Sequence, residues 1–417
     1  MTSSPRILPL VVCLLIPQFA SADEPLPTVK KIAVITTAYY HNSHSDLIAS
    51  RMLQTQSLDG KGVRPRLEFA SLYTDQVPDN DTSRKFSAQY KFPIYDNIAD
   101  TLTLGTGKLA VDGVLLICEH GKYPVSETGA TVYPKRKFFE QIIEVFKNSG
   151  RVVPVFFDKQ LSDNWQDIKW VYDTAVEMKV PLMAGSSIGV TWRDPVVDVR
   201  RGAKLKEIVA VSFHLLDVYG FHALEMAQCL AERRNGGETG IKAVQCFNDD
   251  AVWAAGERGL FDNKLLEACF SRFKDRPFPR NRKIRDAVPN PVLWVIDFED
   301  GLRVNVLTLN GAVAQWAAAW RYADDTLEST TFWTQEWRPL MHFGLQLNVI
   351  EQMMHTGKPQ WPVERTLLTS GVLDALLVSQ KEKGKRIETP QLKIRYQADW
   401  NWKEPPPPPP NRPLTGQ

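Results

Sequence analysis

The first half of the chain alternates short apolar, β-branched runs with longer amphipathic segments. Such runs are typical of strands buried on both faces of a parallel sheet, and the amphipathic segments are typical of the helices that cover it. This alternation predicts right-handed crossovers and an open parallel sheet. The predicted strands are residues 31–36, 67–73, 110–118, 152–157 and 180–184, and the predicted helices are residues 44–54, 138–147 and 164–178.

The pattern changes after about Arg193, and Asp300-Gly301 there is a hairpin turn signal between two predicted strands. This favours a second domain built on an antiparallel sheet. We therefore predict an α/β fold, with an N-terminal Rossmann-like parallel sheet and a C-terminal α/β domain that has an open, mainly antiparallel sheet. The strands predicted in this domain are residues 208–213, 292–298 and 302–309, and helices at 340–354 and 364–380 are expected to pack back on the chain.

Both ends of the chain are expected to lie outside these domains. Arg6, the apolar run 7–16 and Ala20-Ser21-Ala22 form an ordinary secretory signal, which predicts export to the periplasm or exterior and a mature chain that begins at Asp23. The run is too short to span a bilayer. Prolines 405–410 predict an extended, disordered tail. The predicted boundaries are 1–22 for the signal, 23–190 and 191–395 for the two domains, and 396–417 for the tail.

The composition is that of an ordinary globular protein, with 43% hydrophobic and 24% charged residues in 417. The formal net charge is +2 without a concentrated basic block, so no nucleic acid is expected as a partner. No stretch after the signal is apolar and long enough to insert in a membrane. Cys118 and Cys229 lie in apolar runs, which favours buried free thiols over zinc ligands.

The segment after the first predicted strand stands where a dinucleotide-binding loop would lie, but it lacks the glycines of that loop. Glycines let the chain turn tightly and let the backbone reach a pyrophosphate. Thr36, Ala38 and His41 fill the three glycine positions. Tyr39 adds bulk to the turn, and Asp46 puts a carboxylate near the start of the helix, where a phosphate would lie. The residues alone therefore disfavour ordinary dinucleotide binding.

Charged residues follow three of the predicted strands at the edge where an open parallel sheet binds its ligands. Glu119 and His120 follow the third strand, and Asp158 and Lys159 follow the fourth. Titratable residues gathered at this edge are candidates for a site. The alternative is that Asp158 and Lys159 only pair with neighbours or cap the next helix. Asp75, at the end of the second strand, is placed to bind a ribose hydroxyl, although acidic residues are common at strand ends.

His222 opens a predicted helix, and Asp217 precedes it closely. Histidine suits general-base work near neutral pH, and lysine is a natural partner for a substrate hydroxyl. The alternative is a structural histidine at the start of a helix. His41, His44 and His120 raise a further possibility, a zinc-type site completed by a neighbouring carboxylate. Their spacing follows no established metal motif, so no metal ligand is predicted.

These elements, in this order, resemble the glucose–fructose oxidoreductase and inositol dehydrogenase (Gfo/Idh/MocA) family over about residues 30–390. Residues 155–161 look like the family's Glu-Lys-Pro strand end, with Asp158 for Glu and Gln160 for Pro. Residues 220–225 look like its Gly-x-His-x-x-Asp segment, with Glu225 for Asp. Further similar segments are residues 181–186, Arg193 with Pro195, and residues 298–301.

The resemblance implies a sugar, polyol or related carbohydrate as the substrate, bound between a nicotinamide and the second sheet. It implies His222 as the general base, Lys159 as the residue that orients the substrate hydroxyl, and an acidic partner for which Asp217 is one residue out of register. It also implies homo-oligomers formed through the outer face of the second sheet. The candidate cofactor contacts are Thr36, Ala38, Tyr39, Asp75, Glu119, His120 and Asp158.

Two departures from the family pattern leave two hypotheses open. The glycines are missing, and an ordinary export signal sends the chain out unfolded, so it would have to find its cofactor outside the cytoplasm. One hypothesis is an oxidoreductase-family enzyme that acts on a carbohydrate and keeps NAD or NADP in an altered pocket. The other is a non-redox carbohydrate-binding protein, or a metal-assisted lyase or hydrolase, built on the same fold.

Overall fold

A computed structural model describes residues 28–274, 278–279, 282–335 and 337–407, so the predicted signal at 1–22 lies outside the described residues. Its first sheet has five parallel strands in the order β2-β1-β3-β4-β5. This confirms the predicted Rossmann-like sheet. The strands are β1 Lys30–Thr36, β2 Leu67–Thr74, β3 Gly113–Ile117, β4 Val155–Asp158 and β5 Leu182–Gly185.

The second sheet follows in the chain and has eight strands. They are β6 Trp192–Asp194, β7 Leu205–Ser212, β8 Ile241–Asn248, β9 Val292–Phe298, β10 Arg303–Thr308, β11 Trp316–Tyr322, β12 Leu327–Trp333 and β13 Ile387–Glu388. Their order is β13-β8-β9-β10-β7-β11-β12-β6. Strands β7 and β10 pair in parallel and the other pairs are antiparallel, which confirms the mainly antiparallel second sheet.

Helices cover both faces of the first sheet. The helices of the chain are α1 His44–Leu53, α2 Ser83–Tyr90, α3 Ile98–Thr103, α4 Lys135–Ser149, α5 Trp165–Glu177, α6 Tyr219–Ala231, α7 Asp250–Glu257, α8 Asn263–Phe270, α9 Ile284–Ala287, α10 Met341–Thr356 and α11 Glu364–Lys381. Ala33 and Ile35 of β1 pack toward α3, α4 and α5, whereas Ile32 and Val34 pack toward α1 and α10. Burial on both faces is why the strand is a continuous apolar run.

Helices also cover both faces of the second sheet. Helices α6 and α11 pack on the face toward the first domain. On the other face, Val209 and Val211 of β7 pack with Val252 of α7 and Leu265 of α8. The resemblance implied self-association through this outer face. Because helices of the same chain cover it, any association on this side would involve those helices rather than a bare sheet.

The structure corrects the predicted start of the disordered tail at residue 396. Tyr396 is only 9% exposed, and its hydroxyl donates to Oε2 of Glu232 at 2.8 Å. The indole of Trp402 donates to the carbonyl of Thr191 at 2.9 Å. The tail therefore packs on the body over its first residues, because buried hydrogen-bond partners are available there. Residues 408–417 of the predicted tail lie outside the described residues.

Two further features bear on the environment of the chain. Within residues 28–407, apart from the short gaps, no helix combines the length and the apolar composition that a bilayer crossing requires. Cys118, Cys229, Cys246 and Cys269 are all buried and free. Burial raises the pKa of the Cys229 thiol to about 12, so this sulfur is a packed, unreactive group.

We predict that the substitution Arg365→Met greatly lowers the free energy of unfolding. Arg365 of α11 and Glu232 after α6 are each 2% exposed, and Nε of the arginine donates to Oε2 of the glutamate at 2.9 Å. Removing one partner leaves an uncompensated buried charge, which costs about 3–5 kcal/mol. Urea denaturation measures the loss. Lys169→Met, which breaks an exposed pair with Asp173, is the control and should cost at most about 1 kcal/mol. Equal losses in the two variants would contradict the prediction.

Candidate functional site

The candidate site lies at the carboxyl edge of the first sheet, where β3, β4 and β5 end. Strand β4 ends at Asp158, and Lys159 follows it in the left-handed region with a φ of 64°. The backbone N–H of Lys159 donates to the carbonyl of Gly185 at 3.2 Å, which ties the ends of β4 and β5 together. Glu119 lies just beyond β3. Three of the predicted site residues are thus delivered by neighbouring strands.

Glu119 holds two lysines by buried ion pairs. Its Oε2 lies 2.9 Å from Nζ of Lys159, and its Oε1 lies 3.4 Å from Nζ of Lys135. Burial alone raises the pKa of a carboxyl, but the positive charges of Lys159 and then Lys135 outweigh it and hold the pKa of Glu119 below its usual range. Glu119 is therefore a carboxylate, and Lys159 does pair with a neighbour. An ammonium has three N–H donors, so this pair does not use them all.

His222 of α6 lies in the same site. Its Nδ1 is 2.6 Å from Oγ of Ser186, which directly follows β5. Burial lowers the pKa of His222 well below its usual value, and the positive charge of Lys159 lowers it further, followed by the charges of His44 and His342. The ring is therefore neutral near pH 7, and Nε2 is the nitrogen left for a ligand. Lys159 and His222, the two residues predicted for catalysis, are therefore close enough for the charge of the lysine to lower the pKa of the histidine.

His44, the first residue of α1, forms a pair with Asp158. Nδ1 of the ring lies 2.5 Å from Oδ2 of the carboxylate, and the two side chains are 13% and 2% exposed. The ring packs edge-on against His120, with centroids 5.2 Å apart, and against Phe343 of α10 at 4.8 Å. His120 itself has a φ of 76°. Asp158, predicted as a cofactor contact, thus binds a histidine of its own chain.

A second serine–histidine pair flanks the end of β5. Oγ of Ser187 is 2.7 Å from Nδ1 of His342 in α10. Burial lowers the pKa of His342, and the positive charges of Arg51 and His44 add to the effect. Ser186, Ser187 and His342 were not predicted as site residues. The two serines follow the predicted strand 180–184 after a single glycine and were a usable signal, whereas nothing in the sequence indicates that α10 packs beside this edge.

Asp217 and Asp75 are used elsewhere in the structure. The carboxylate of Asp217 accepts hydrogen bonds from the backbone N–H and the hydroxyl of Thr131, at 3.3 and 3.1 Å. Asp75 accepts hydrogen bonds from the hydroxyls of Tyr73 and Tyr123, at 3.0 and 2.6 Å. Each carboxylate therefore stabilises a loop at the edge of the site. The roles predicted for them, catalysis and ribose binding, stay predictions.

The turn between β1 and α1 is filled by side chains of the chain itself. The hydroxyl of Thr36 donates to the carbonyl of Ile117 at 3.0 Å. Ala38 and Tyr39 are fully buried, and the hydroxyls of Tyr39 and Ser50 are 2.7 Å apart. Tyr39 thus packs beneath the turn as part of the core between β1, α1 and β2.

The N-terminus of α1 carries a buried carboxylate. Asp46 is 1% exposed and accepts hydrogen bonds from the backbone N–H of Asn42 at 2.9 Å and from Nη1 of Arg338 at 2.6 Å. Oγ of Ser43 in turn accepts from the backbone N–H of Asp46 at 3.3 Å. Of the backbone amides that the helix leaves free at this end, that of Asp46 is therefore capped by a side chain of the chain itself.

Two further features of the described residues bear on ligands. No three or more His, Cys, Asp or Glu side chains among them are arranged to hold a metal ion. A cavity of about 490 Å³ lies away from the site, at the amino end of β5, with Trp361 and Trp400 in its wall. The residues predicted for chemistry do not line this cavity.

Comparison with known proteins gives structural matches only. No protein-family model and no curated protein sequence matches the chain. GenD2 from gentamicin A biosynthesis, solved in complex with NAD, matches with a TM-score of 0.55 and 12% identity, over 88% of this chain and 97% of that one. An apo scyllo-inositol dehydrogenase from Lactobacillus casei matches with a TM-score of 0.53 and 10% identity, over 87% and 98%. A myo-inositol dehydrogenase from Corynebacterium glutamicum ATCC 13032 matches with a TM-score of 0.53 and 11% identity, over 86% and 98%.

The chain shares the two-domain fold of these dehydrogenases, as the resemblance stated from the sequence predicted. The matches extend over nearly the full length of each solved structure, so both domains are included. The predicted fold class is thereby confirmed. Similarity at this level of identity concerns the fold alone, and the chemistry has to be argued from the residues of this chain.

We predict that the free energy of unfolding of His120→Gln depends less on pH than that of the wild type. Burial lowers the pKa of His120 to about 3, and the charges of His44 and Lys159 add to the effect while Glu119 opposes it. An unfolded histidine titrates near about 6.5. Below that pH the unfolded chain takes up a proton that the folded chain does not, so the stability of the wild type falls by up to ~1.4 kcal/mol per pH unit for this group.

The measurement is the unfolding free energy of wild type and variant in urea at about pH 8 and about pH 5. The variant lacks the titrating ring, so it should gain about 2 kcal/mol relative to the wild type between the two values. The comparison of wild type and variant at the higher pH is the internal control, because at that pH the ring of His120 is neutral in both the folded and the unfolded chain. A difference that does not change with pH would show that His120 is not a buried neutral histidine.

Proposed function

We propose that this protein binds a sugar, polyol or related carbohydrate-like molecule at the carboxyl edge of the first sheet and performs acid–base chemistry on it. His222 accepts a proton from the substrate, and Lys159 orients a substrate oxygen. The observation that carries the proposal is a chain of hydrogen bonds between Lys159 and His222. The backbone N–H of Lys159 donates to the carbonyl of Gly185, and the hydroxyl of the next residue, Ser186, is hydrogen-bonded to the ring of His222.

The states of these two side chains suit those roles. Burial and the charge of Lys159 keep His222 neutral, so it has a free lone pair. Ser186 occupies Nδ1 and fixes the ring, so Nε2 is the atom that takes the proton. Glu119 holds the ammonium of Lys159 at the strand edge, where its remaining N–H donors can bind a hydroxyl or carbonyl oxygen.

The substrate class is supported by the fold. The similar structures include a scyllo-inositol and a myo-inositol dehydrogenase, whose names specify polyols. In open α/β sheets the ligand lies beyond the carboxyl ends of the strands, and Glu119, Asp158 and Lys159 lie at that edge here. A polyhydroxylated ligand suits the many hydrogen-bonding side chains there.

The residues of the β1–α1 turn do not fit a dinucleotide held in the usual way. That mode needs a turn without side-chain bulk and free amides at the start of the helix. Ala38 stands in the turn at a position where that mode needs glycine, and Ser43 already caps the backbone N–H of Asp46. A buried Asp46 carboxylate would also repel a pyrophosphate. We therefore assign no step of the chemistry to a nicotinamide.

Oxidation of the same class of substrate with NAD or NADP is the second candidate. One observation favours it: GenD2, which has the same fold, was solved in complex with NAD. Such binding would require a pose that avoids the turn between β1 and α1, since the N-terminus of α1 carries the carboxylate of Asp46, paired with Arg338.

Calorimetric titration of the mature chain separates the two candidates. The probes are myo-inositol and D-glucose, and NADH in a separate arm. We expect saturable binding of a carbohydrate probe to the wild type. Its affinity should fall about 10-fold or more in Lys159→Met, which loses a hydrogen bond from a charged ammonium, and in His222→Gln, which loses a hydrogen bond to a buried ring. NADH should not saturate at millimolar concentration. The matched control is Lys169→Met, which removes an exposed lysine of α5.

Two results would count against the proposal. Binding of the carbohydrate that is unchanged in both site variants would place the ligand elsewhere. Saturable binding of NADH at micromolar concentration would favour the second candidate.

We also propose that the chain is exported and functions in the periplasm or outside the cell. The support is the signal pattern, with Arg6, the apolar run 7–16 and Ala20-Ser21-Ala22. Mass spectrometry of the protein recovered from the periplasm or medium of an expressing bacterium should give a mature chain that begins at Asp23. An uncleaved chain found only in the cytoplasm would refute this assignment.

A further inference from the structure

His44 and Asp158 form an acid–base pair that the roles proposed above leave unused. Nδ1 of the ring lies 2.5 Å from Oδ2 of the carboxylate, and Asp158 is nearly fully buried. A carboxylate on Nδ1 fixes the orientation of the imidazole and balances the charge of its doubly protonated form. Nε2 is then the nitrogen that exchanges protons with a ligand. The side chain is 13% exposed, so the ring is in part open to solvent.

His44 also lies at the centre of the site. Its partner Asp158 directly precedes Lys159, and its ring packs against the ring of His120, which follows Glu119, with centroids 5.2 Å apart. It reaches the site from α1, on the first sheet, whereas His222 comes from α6, on the second sheet. A ligand beside Lys159 would therefore have a proton-exchanging ring from each domain next to it.

We propose that His44, positioned by Asp158, is a second acid–base residue that works with His222 on one carbohydrate, and that this carbohydrate carries a carbonyl group. The inference rests on the proposed function, since it uses the same site and the same base. Two rings that each exchange one proton support a reaction in which the substrate loses one proton and gains one. Such a reaction needs no oxidant, which agrees with the filled turn between β1 and α1.

The step is an epimerisation at the carbon beside the carbonyl. Nε2 of His222 takes the proton from that carbon, the C–H electron pair forms a C=C bond, and the carbonyl π pair moves onto oxygen. The enolate oxygen then lies beside the ammonium of Lys159, which stabilises its charge. Nε2 of His44 returns a proton to the same carbon from the other side as the enolate collapses. His222 ends protonated and His44 neutral, and exchange with water restores both.

The test is proton NMR of the mature chain in D₂O with D-fructose and 2-keto-myo-inositol. We expect loss of the C–H signal beside the carbonyl, as solvent deuterium enters there, and formation of the epimer. The control substrate is myo-inositol, which has no carbonyl and should keep its C–H signals. Epimer formation should fall about 10²- to 10⁴-fold in His44→Gln, as for the loss of a general acid. His41→Gln, which removes an exposed histidine of the same turn, should retain it.

A role for Asp158 as a positioning residue has its own readout. Long-range ¹H–¹⁵N NMR of the imidazole rings should show a proton on Nδ1 of His44 in the wild type, and Asp158→Asn should change this assignment while the fold is retained. Epimer formation should then fall with the fraction of correctly oriented rings. This measurement does not depend on the stability of a His44 variant.

The outcomes separate this inference from the proposed function. Exchange that depends on His222 but is the same in His44→Gln would overturn the inference and leave the proposed function standing. Carbohydrate binding without any deuterium exchange in the wild type would likewise overturn the epimerisation. Binding that is insensitive to Lys159→Met and His222→Gln would remove the proposed function itself.

Discussion

The structure of the site depends on one buried carboxylate, that of Glu119. A carboxylate out of water is tolerated only when cations and hydrogen bonds compensate it, and here Lys159 and Lys135 do so. The first pair ties the end of β3 to the end of β4, and the second ties both to the start of α4. Lys159 then bonds to Gly185, which places Ser186 against His222 of the other domain. A change at Glu119 would therefore disturb strand ends and both domains together.

The sequence allowed prediction of the fold and of part of the site, for physical reasons that particular residues show. Buried parallel strands are continuous apolar runs, so the predicted strand at 31–36 falls within β1, and the strand predicted at 292–298 coincides with β9. Strand β11 escaped prediction because Ala317, Ala318 and Ala319 are weak strand formers whose burial comes only from packing between β7 and β12. Lys159 was identifiable because a strand end has a fixed place in a parallel sheet.

The residues that the sequence did not reveal meet through tertiary packing. The sequence showed Asp46 only as a carboxylate near the start of a helix, and the fold brings Arg338 to it from a distant part of the chain. In the sequence, His342 is one polar residue of a predicted helix. It becomes a site residue only because α10 packs against α1 and the segment after β5. Nothing in the sequence around Asp158 indicates that it pairs with His44, because His44 begins a helix in a distant segment of the chain. Side chains from distant segments have no common period or spacing in a sequence, so no pattern records their contact.

The charges of the site restrict the kind of ligand that fits it. Glu119 and Asp158 are negative, Lys135 and Lys159 are positive, and the protonated His44 that the proposed step requires adds one further positive charge. Burial keeps His120, His222 and His342 neutral. At the N-terminus of α1, which would otherwise attract an anion, the chain carries the carboxylate of Asp46. Neutral imidazoles, serine hydroxyls and an ammonium can each donate to or accept from a hydroxyl. The site is therefore suited to a polyhydroxylated molecule.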